Sequence, residues 1–379
     1  MIYLDHNATT PIDPDVHAAM QPYLSQEWGN ASSSYSFGSR LRTIIEKARL
    51  QVASLLNASS DEIIFTSGGT EANNAAIHAA LLADPTRRHI VTTAVEHSSV
   101  LGYCQWLESR SYPVTVVGVN ADGHLDYDAL VRAITKDTAI VSVMWANNET
   151  GVLFPVDRIA QHCKELGVPF HSDAVQVAGK CPIDVKATSF TYLGLAAHKF
   201  NGPKGIGVLF VRRGAPFAPL IHGGHQEHGR RGGTQDVASI VGLGVAADKA
   251  SVGAIDYAQT VAPRRDRLET ELLKRCGPAR IHGESQPRIA NTTNISFPGI
   301  GADGLLMILD KYDLYASSGS ACLADSGKPS HVIAAMRGSQ RIPRDFIRLS
   351  IATSTTEEEI TTAIERIAEC VGSLRQLSE

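Results

Sequence analysis

Apolar positions along the chain change their spacing twice. Behind Pro14, the residues Val16, Met20, Tyr23 and Leu24 fall at helical intervals, and a proline suits the first turn of a helix. From Arg40 to Leu56, Leu41, Ile44, Ile45, Ala48, Val52 and Leu55 repeat the same spacing, which predicts an amphipathic helix. A different rhythm begins at Glu62. Strands are expected over 63–66, 89–92, 114–119, 139–144, 168–171, near 190–192 and over 207–211. Helices are expected between them, over 71–82, 98–109, 127–135 and 156–166. Short apolar runs alternating with helical segments imply an α/β layer, a mostly parallel sheet with helices on both faces. After about residue 240 the pattern changes again. A long helical stretch runs to Cys276, followed by strand-like pieces at 292–297 and 314–316 and helices over 302–309, 329–336 and 357–374. This reads as a smaller α+β domain, with the boundary near residue 250.

Composition narrows the possibilities. At 43% hydrophobic and 20% charged, the 379 residues suit a globular chain with a large core. The net charge of −4 leaves no basic excess for nucleic acid. No apolar run of about 20 residues suggests a membrane span, and Met1–His6 has no signal-peptide pattern. The six cysteines show no C-x-x-C spacing, which argues against a zinc site or a disulfide framework and fits a reducing cytoplasm.

Ligands of open α/β sheets sit beyond the carboxyl ends of the strands, so the polar residues just after the expected strands carry the chemistry. Ser67-Gly68-Gly69-Thr70 lies between a strand and a helix and suits a phosphate at the helix N-terminus. A plain tight turn explains it equally well. His97 follows the strand at 89–92, where a lone histidine is more often structural. Asp173 follows 168–171 and reads either as a helix cap or as the partner of a cationic ring nitrogen. Lys199, between an apolar segment and Gly202-Pro203-Lys204-Gly205, is a Schiff-base candidate, because burial lowers an amine's pKa. Together these make the binding kit for pyridoxal phosphate. Further along, Ser317-Ser318-Gly319-Ser320-Ala321-Cys322 places a thiol on a run of small polar residues. Free cysteine is usually buried, so this one is either incidental or functional.

At the level of motifs the chain resembles the cysteine desulfurases of aminotransferase fold type I, closest to the nitrogenase-associated subgroup. The matching stretches run in order along nearly the whole chain: Tyr3–Pro11, Phe65–Glu71, Val95-Glu96-His97, Trp145–Gly151, His198-Lys199, Gly223–Glu227, Ser317–Cys322 and Arg348-Leu349-Ser350. The resemblance implies a large cofactor domain over 14–250, with 1–13 and 251–379 forming the small domain that carries Cys322. It makes Lys199 the Schiff-base lysine and mover of the Cα proton, His97 the ring-stacking residue and a catalytic aid to proton transfer, and Asp173 the partner of the ring nitrogen. Gln176 is implied at the ring hydroxyl, with Gly69, Thr70 and His198 at the phosphate, joined by Thr234 from a second subunit. Arg348 is implied at the substrate carboxylate, and Asn148 at both that carboxylate and the ring hydroxyl of the cofactor. Cys322 is implied as the nucleophile that takes sulfur from L-cysteine as a persulfide and releases alanine, on a loop expected to be among the least ordered parts of the molecule. A homodimer passing sulfur to an iron–sulfur scaffold or another acceptor follows.

The sequence also departs from the family pattern. Ala196 stands where a phosphate-binding serine is usual, Thr353 where an arginine is frequent and Tyr35 where many members have histidine. A selenocysteine lyase or other β-lyase on the same fold, a transaminase, and a cofactor-free scaffold protein are the competing readings.

Overall fold

The computed structural model describes residues 1–319, 330–338 and 344–378. The Cys322 loop, and with it the expectation about its order, lies outside these.

Strands β2 (Ile63–Thr66), β3 (His89–Thr93), β4 (Val114–Val117), β5 (Thr138–Ser142), β6 (Phe170–Asp173), β7 (Tyr192–Ala196) and β8 (Gly207–Val211) form one sheet, in the order β2-β8-β7-β6-β5-β3-β4. Only β8 runs against its neighbours. Alternate side chains point to opposite faces, and β2 shows the consequence. Ile63 and Phe65 join a core with α1 (Pro14–Ser25), α2 (Ser36–Leu56), α5 (Tyr127–Ala133) and α6 (Val156–Glu165), while Ile64 joins the opposite core with α3 (Gly69–Ala83) and α4 (Ser98–Glu108). Covered on both faces, these strands read as apolar runs. Helix α3 lies close on the sheet because Gly194 of β7 has no side chain; a Cβ there would stand 2.4 Å from Asn73 Oδ1.

Two strands are displaced from their expected places. Val168 donates its N–H to the Cys163 carbonyl at 2.9 Å, closing the end of α6, and Pro169 has no N–H to give. The strand therefore starts at Phe170 and ends on Asp173. The strand expected near 190 occupies 192–196, where Gly194 and Ala196 conceal it from a reading based on β-formers.

A second core gathers Leu4, Tyr257, Val261, Leu268, Ile295, Phe297, Leu305, Ile347, Leu349 and Ile364. It packs around the antiparallel strands β9 (Arg280–Ile281), β10 (Thr292–Ser296) and β12 (Phe346–Ser350), with β1 (Ile2–Tyr3) beside β11 (Leu314–Tyr315). The long helix α7 (Val237–Arg275) spans both cores, contributing Val237 to Ala250 to the first and Tyr257 to Leu272 to the second. It is long and apolar enough to cross a membrane by composition, but 56% of that apolar window is buried in the protein. It is a core helix.

Candidate active site

The carboxyl ends of the strands converge on a cavity of about 200 Å³. Gly69 and Thr70 (after β2), His97 (after β3), Asn148 (after β5), Asp173 and Gln176 (end of β6), His198 and Lys199 (after β7) and Arg348 (β12) all line it. Thr234 does not; it is exposed elsewhere on the same chain. Asn7, Asn73 and Ser99, which the pattern did not single out, also line the cavity.

Lys199 closes a single helical turn after β7. Its Nζ donates to the carbonyls of Asn7 at 2.6 Å and Ala8 at 2.7 Å. The N-terminal segment is held there by Thr10, whose N–H and hydroxyl both donate to the His198 carbonyl. Asp173, almost fully buried, accepts from Asn73 Nδ2 at 2.7 Å and from the Val175 N–H at 2.9 Å. Among the described residues it has no cationic partner. A buried carboxylate facing a cavity in this way suits a protonated ring nitrogen. Asn73 also donates to Ser99 Oγ at 2.9 Å, and Ser99 meets His97 Nδ1 at 2.9 Å. One hydrogen-bonded chain therefore runs from Asp173 to His97. The Ser99 N–H donates to the same Nδ1, which leaves the imidazole proton on Nε2. The signal for Asn73 is a polar residue within the apolar helix α3.

The turn after β2 is tightly built. Gly68 has φ +153°, a conformation L side chains rarely adopt, and a Cβ on Gly69 would stand 2.8 Å from Val175 Cγ2. Glu71 braces the turn, accepting from the Ser67 N–H at 2.8 Å and pairing with Arg231 at 2.9 Å. Burial raises this carboxyl, but the bonds from Arg231 and Ser67 outweigh it and leave it lowered. Burial, with the charges of Lys199 and Lys204, drives His198 down to about 4. Ala196 lines the cavity where a hydroxyl would otherwise reach.

At the other end, Arg348 is buried in β12. It donates to the Asn148 carbonyl at 3.0 Å and to Asp5 Oδ1 at 2.5 Å. Its Nε is buried without a hydrogen-bond partner among the described residues. Such an orphaned donor on a guanidinium fits a ligand carboxylate. Ser317 pairs with Arg348 through both backbone groups, and Ser330 Oγ donates to Glu149 Oε2 at 2.6 Å. A Cβ on Gly319 would stand 3.3 Å from that same oxygen. The two flanks of the segment containing Cys322 thus meet at Glu149, next to Asn148. The other five cysteines are free, and burial pushes the thiols of Cys104 and Cys163 up to about 12, so they are poor nucleophiles.

A mostly parallel sheet with a lysine, an aspartate and a histidine gathered at the ends of its strands, beside a glycine turn, is the arrangement of a pyridoxal-phosphate enzyme. Residues 2–362 match the family model for aminotransferase class-V. A cysteine desulfurase of Nostoc sp. is 48% identical over 378 residues, covering 100% of this chain and 94% of the relative. The cysteine desulfurase NifS of Azotobacter vinelandii is 45% identical, with the same coverage. A solved structure of a NifS-like protein superposes with a TM-score of 0.92 at 34% identity, covering 98% of this chain and 100% of that one. The chain belongs to the aminotransferase class-V family, whose cofactor is pyridoxal phosphate.

Proposed function

We propose that this protein is a cysteine desulfurase that removes sulfur from L-cysteine, releases L-alanine and holds the sulfur as a persulfide on Cys322. The observation that carries the reading is the single cavity joining Lys199, Asp173, His97 and Arg348, with both flanks of the Cys322 segment anchored at its edge. The desulfurase relatives, aligned over the whole chain, support it.

Pyridoxal phosphate, when bound, supplies an aldehyde that captures amines and a ring that draws electrons from the attached carbon. The residues of this chain do the rest. Lys199 would hold the cofactor through its amine, and the same amine would take and return the substrate Cα proton. The carbonyls of Asn7 and Ala8 keep its amine aimed into the cavity. Asp173, held by the N–H donors of Asn73 and Val175, would face the ring nitrogen. His97, which lines the cavity with its proton on Nε2, would stack on the ring. Gly69, Thr70 and His198 would hold the phosphate and Gln176 the ring hydroxyl. Arg348, steadied by Asp5 and the Asn148 carbonyl, takes the substrate carboxylate, and the Asn148 side chain assists.

The Cys322 thiolate attacks the substrate sulfur. The sulfur–Cβ bond breaks, its electron pair stays with carbon and is protonated to the methyl group of alanine, and the transferred sulfur remains as Cys–S–SH. The division into 14–250 and 1–13 with 251–379 serves this chemistry, since the first part holds the cofactor and the second brings Arg348 and Cys322. The change of core within α7 supports that division. Thr234, exposed on its own chain, is assigned to the phosphate of a second copy in a homodimer. The free thiols suit the reducing cytoplasm, and the acceptor is the machinery of iron–sulfur cluster assembly, nitrogenase included.

Mass spectrometry after cysteine treatment tests the proposal. Wild-type protein is expected to gain about 32 Da on Cys322, one sulfur atom by the balance above, and Cys322→Ala to gain none at any cysteine. Full-rate sulfide release by Cys322→Ala would overturn the assignment.

A further inference from the structure

Behind Lys199 lies a second cavity of about 190 Å³, whose wall includes His6, Asp13, Lys180, Lys199, Lys249 and Tyr257. Lys249 is paired with Asp13 at 2.7 Å. Lys180, only 5% exposed, has no carboxylate partner among the described residues. Its hydrogen-bond partner among the described residues is the neutral Gln176 Oε1, at 3.0 Å. A buried ammonium held by an amide is an expensive arrangement, and its consequence lies one bond further on.

An ammonium only donates and a backbone carbonyl only accepts. Between the two, the Gln176 amide has one permitted orientation: Oε1 toward Lys180, and Nε2 donating to the Asn7 carbonyl at 3.1 Å. That carbonyl also receives Lys199 Nζ at 2.6 Å. A flipped amide would set the Gln176 oxygen against the carbonyl on which Lys199 rests. It would also leave no N–H at 176 for a ligand in the cavity that Gln176 lines.

We propose that Lys180 is a positioning residue of the cofactor site: through Gln176 it fixes an N–H donor beside the Asn7 carbonyl and so seats Lys199. The proposal rests on the reading of the cavity as a pyridoxal-phosphate site. Its influence depends on pH. Burial brings Lys180 down to about 7, with the charges of Lys199 and Arg348 adding to the shift and the Cys181 thiol opposing it. His6, on the same wall, is itself driven down to about 4, chiefly by burial and then by Lys180, so it carries no charge over the range in which Lys180 titrates.

The test follows the absorption of the bound cofactor in the holoenzyme from pH 6 to 10. In Lys180→Met the midpoint of the spectral change is expected to rise by about one pH unit, a tenfold change in proton affinity. Lys180→Arg, which keeps the donor, is expected to stay near wild type. Gln176→Met is expected to raise the midpoint as well, and Lys180→Met added to it to do little more, because both act through one amide. An unchanged midpoint in Lys180→Met, or full additivity in the double variant, would overturn the proposal. If Lys180→Met does not fold, Lys180→Gln takes its place; it offers Gln176 a partner that no longer dictates the amide orientation, and the same two outcomes apply. A wild-type protein with no cofactor absorption after reconstitution would instead defeat the reading of the cavity, which keeps the two failures apart.

Discussion

Two buried cation sites in this molecule are built in opposite ways. At the first, Arg49 of α2 is only 1% exposed and every nitrogen of its guanidinium has an acceptor: Glu46 for Nε, Glu227 for both terminal nitrogens and the Ile63 carbonyl besides. Glu227 is filled in turn by the Phe65 N–H and Gln235. At the second, the cations around the two cavities that share Lys199 rest mainly on neutral oxygens. Lys199 lies on two carbonyls, Lys180 on an amide, and Arg348 on one carbonyl and Asp5 with its Nε left over. The first site spends its hydrogen-bonding capacity on the fold, and the second keeps it for a ligand. The bidentate, fully satisfied pair belongs to the fold, and the more sparsely held cations line the candidate site.

The largest effect that could break this contrast is expected at Lys199. Lys199→Ala should lower kcat/KM for cysteine by about 10³-fold or more and abolish the absorption of covalently held cofactor, while its thermal unfolding moves little. Arg348→Ala is expected to reduce kcat/KM by about 10²-fold, mainly through KM, because a charge-assisted bidentate contact contributes about 2–3 kcal/mol. Steady-state kinetics with cysteine checks both.

The opposite signature is expected at the first site. Arg49→Ala should cost about 3–5 kcal/mol in denaturant unfolding by stranding the Glu227 carboxylate, with the cofactor still bound in the fraction that folds. Burial raises the Glu227 carboxyl, but the hydrogen bonds and charge of Arg49 win and leave it below its usual 4.5. Its stabilisation is therefore complete above about 4.5 and is lost as pH falls through the lowered native value. A wild-type unfolding series from pH 6 to 3 should show this acid-side loss, and Arg49→Ala should flatten it.

The smallest effect concerns Glu96, which fits neither pattern. Burial pushes its carboxyl up to about 8, against hydrogen bonds from the Met144 N–H and Thr93. The folded protein holds that proton while the unfolded chain releases it near 4.5, so this group subtracts stability as pH rises from about 4.5 to 8. Glu96→Gln is expected to gain about 1–3 kcal/mol at pH 8 and to change little at pH 4, as unfolding at the two pH values would show.

Much of the architecture follows from local pattern. The alternation of apolar runs with helices announces the sheet, and polar residues at strand ends announce Lys199, Asp173 and His97, because side-chain period and the position of a strand end are local properties. Where local signals mislead, the reason is also visible. Val168 and Pro169 look like strand but are taken up in closing α6, and the Gly-Leu-Ala end of β7 looks weak because α3 needs the room above Gly194. Strand β12 was not expected as a strand, although Arg348-Leu349-Ser350 stood out as a motif.

What the sequence by itself determined is the class of fold, the cofactor chemistry and the residue types that serve it. Only the tertiary structure decided which partners hold them. Asp5 reaches Arg348 from 343 residues away, Asn7 receives Lys199 from 192 away, and Asn73 reaches Asp173 from 100 away. The same is true of Lys180, a neighbour of Gln176 in sequence whose burial beside Lys199 no local pattern reveals. Hydrogen-bond partners and desolvation depend on what the rest of the chain packs around a group, and that is set by register and core packing rather than by the residues on either side.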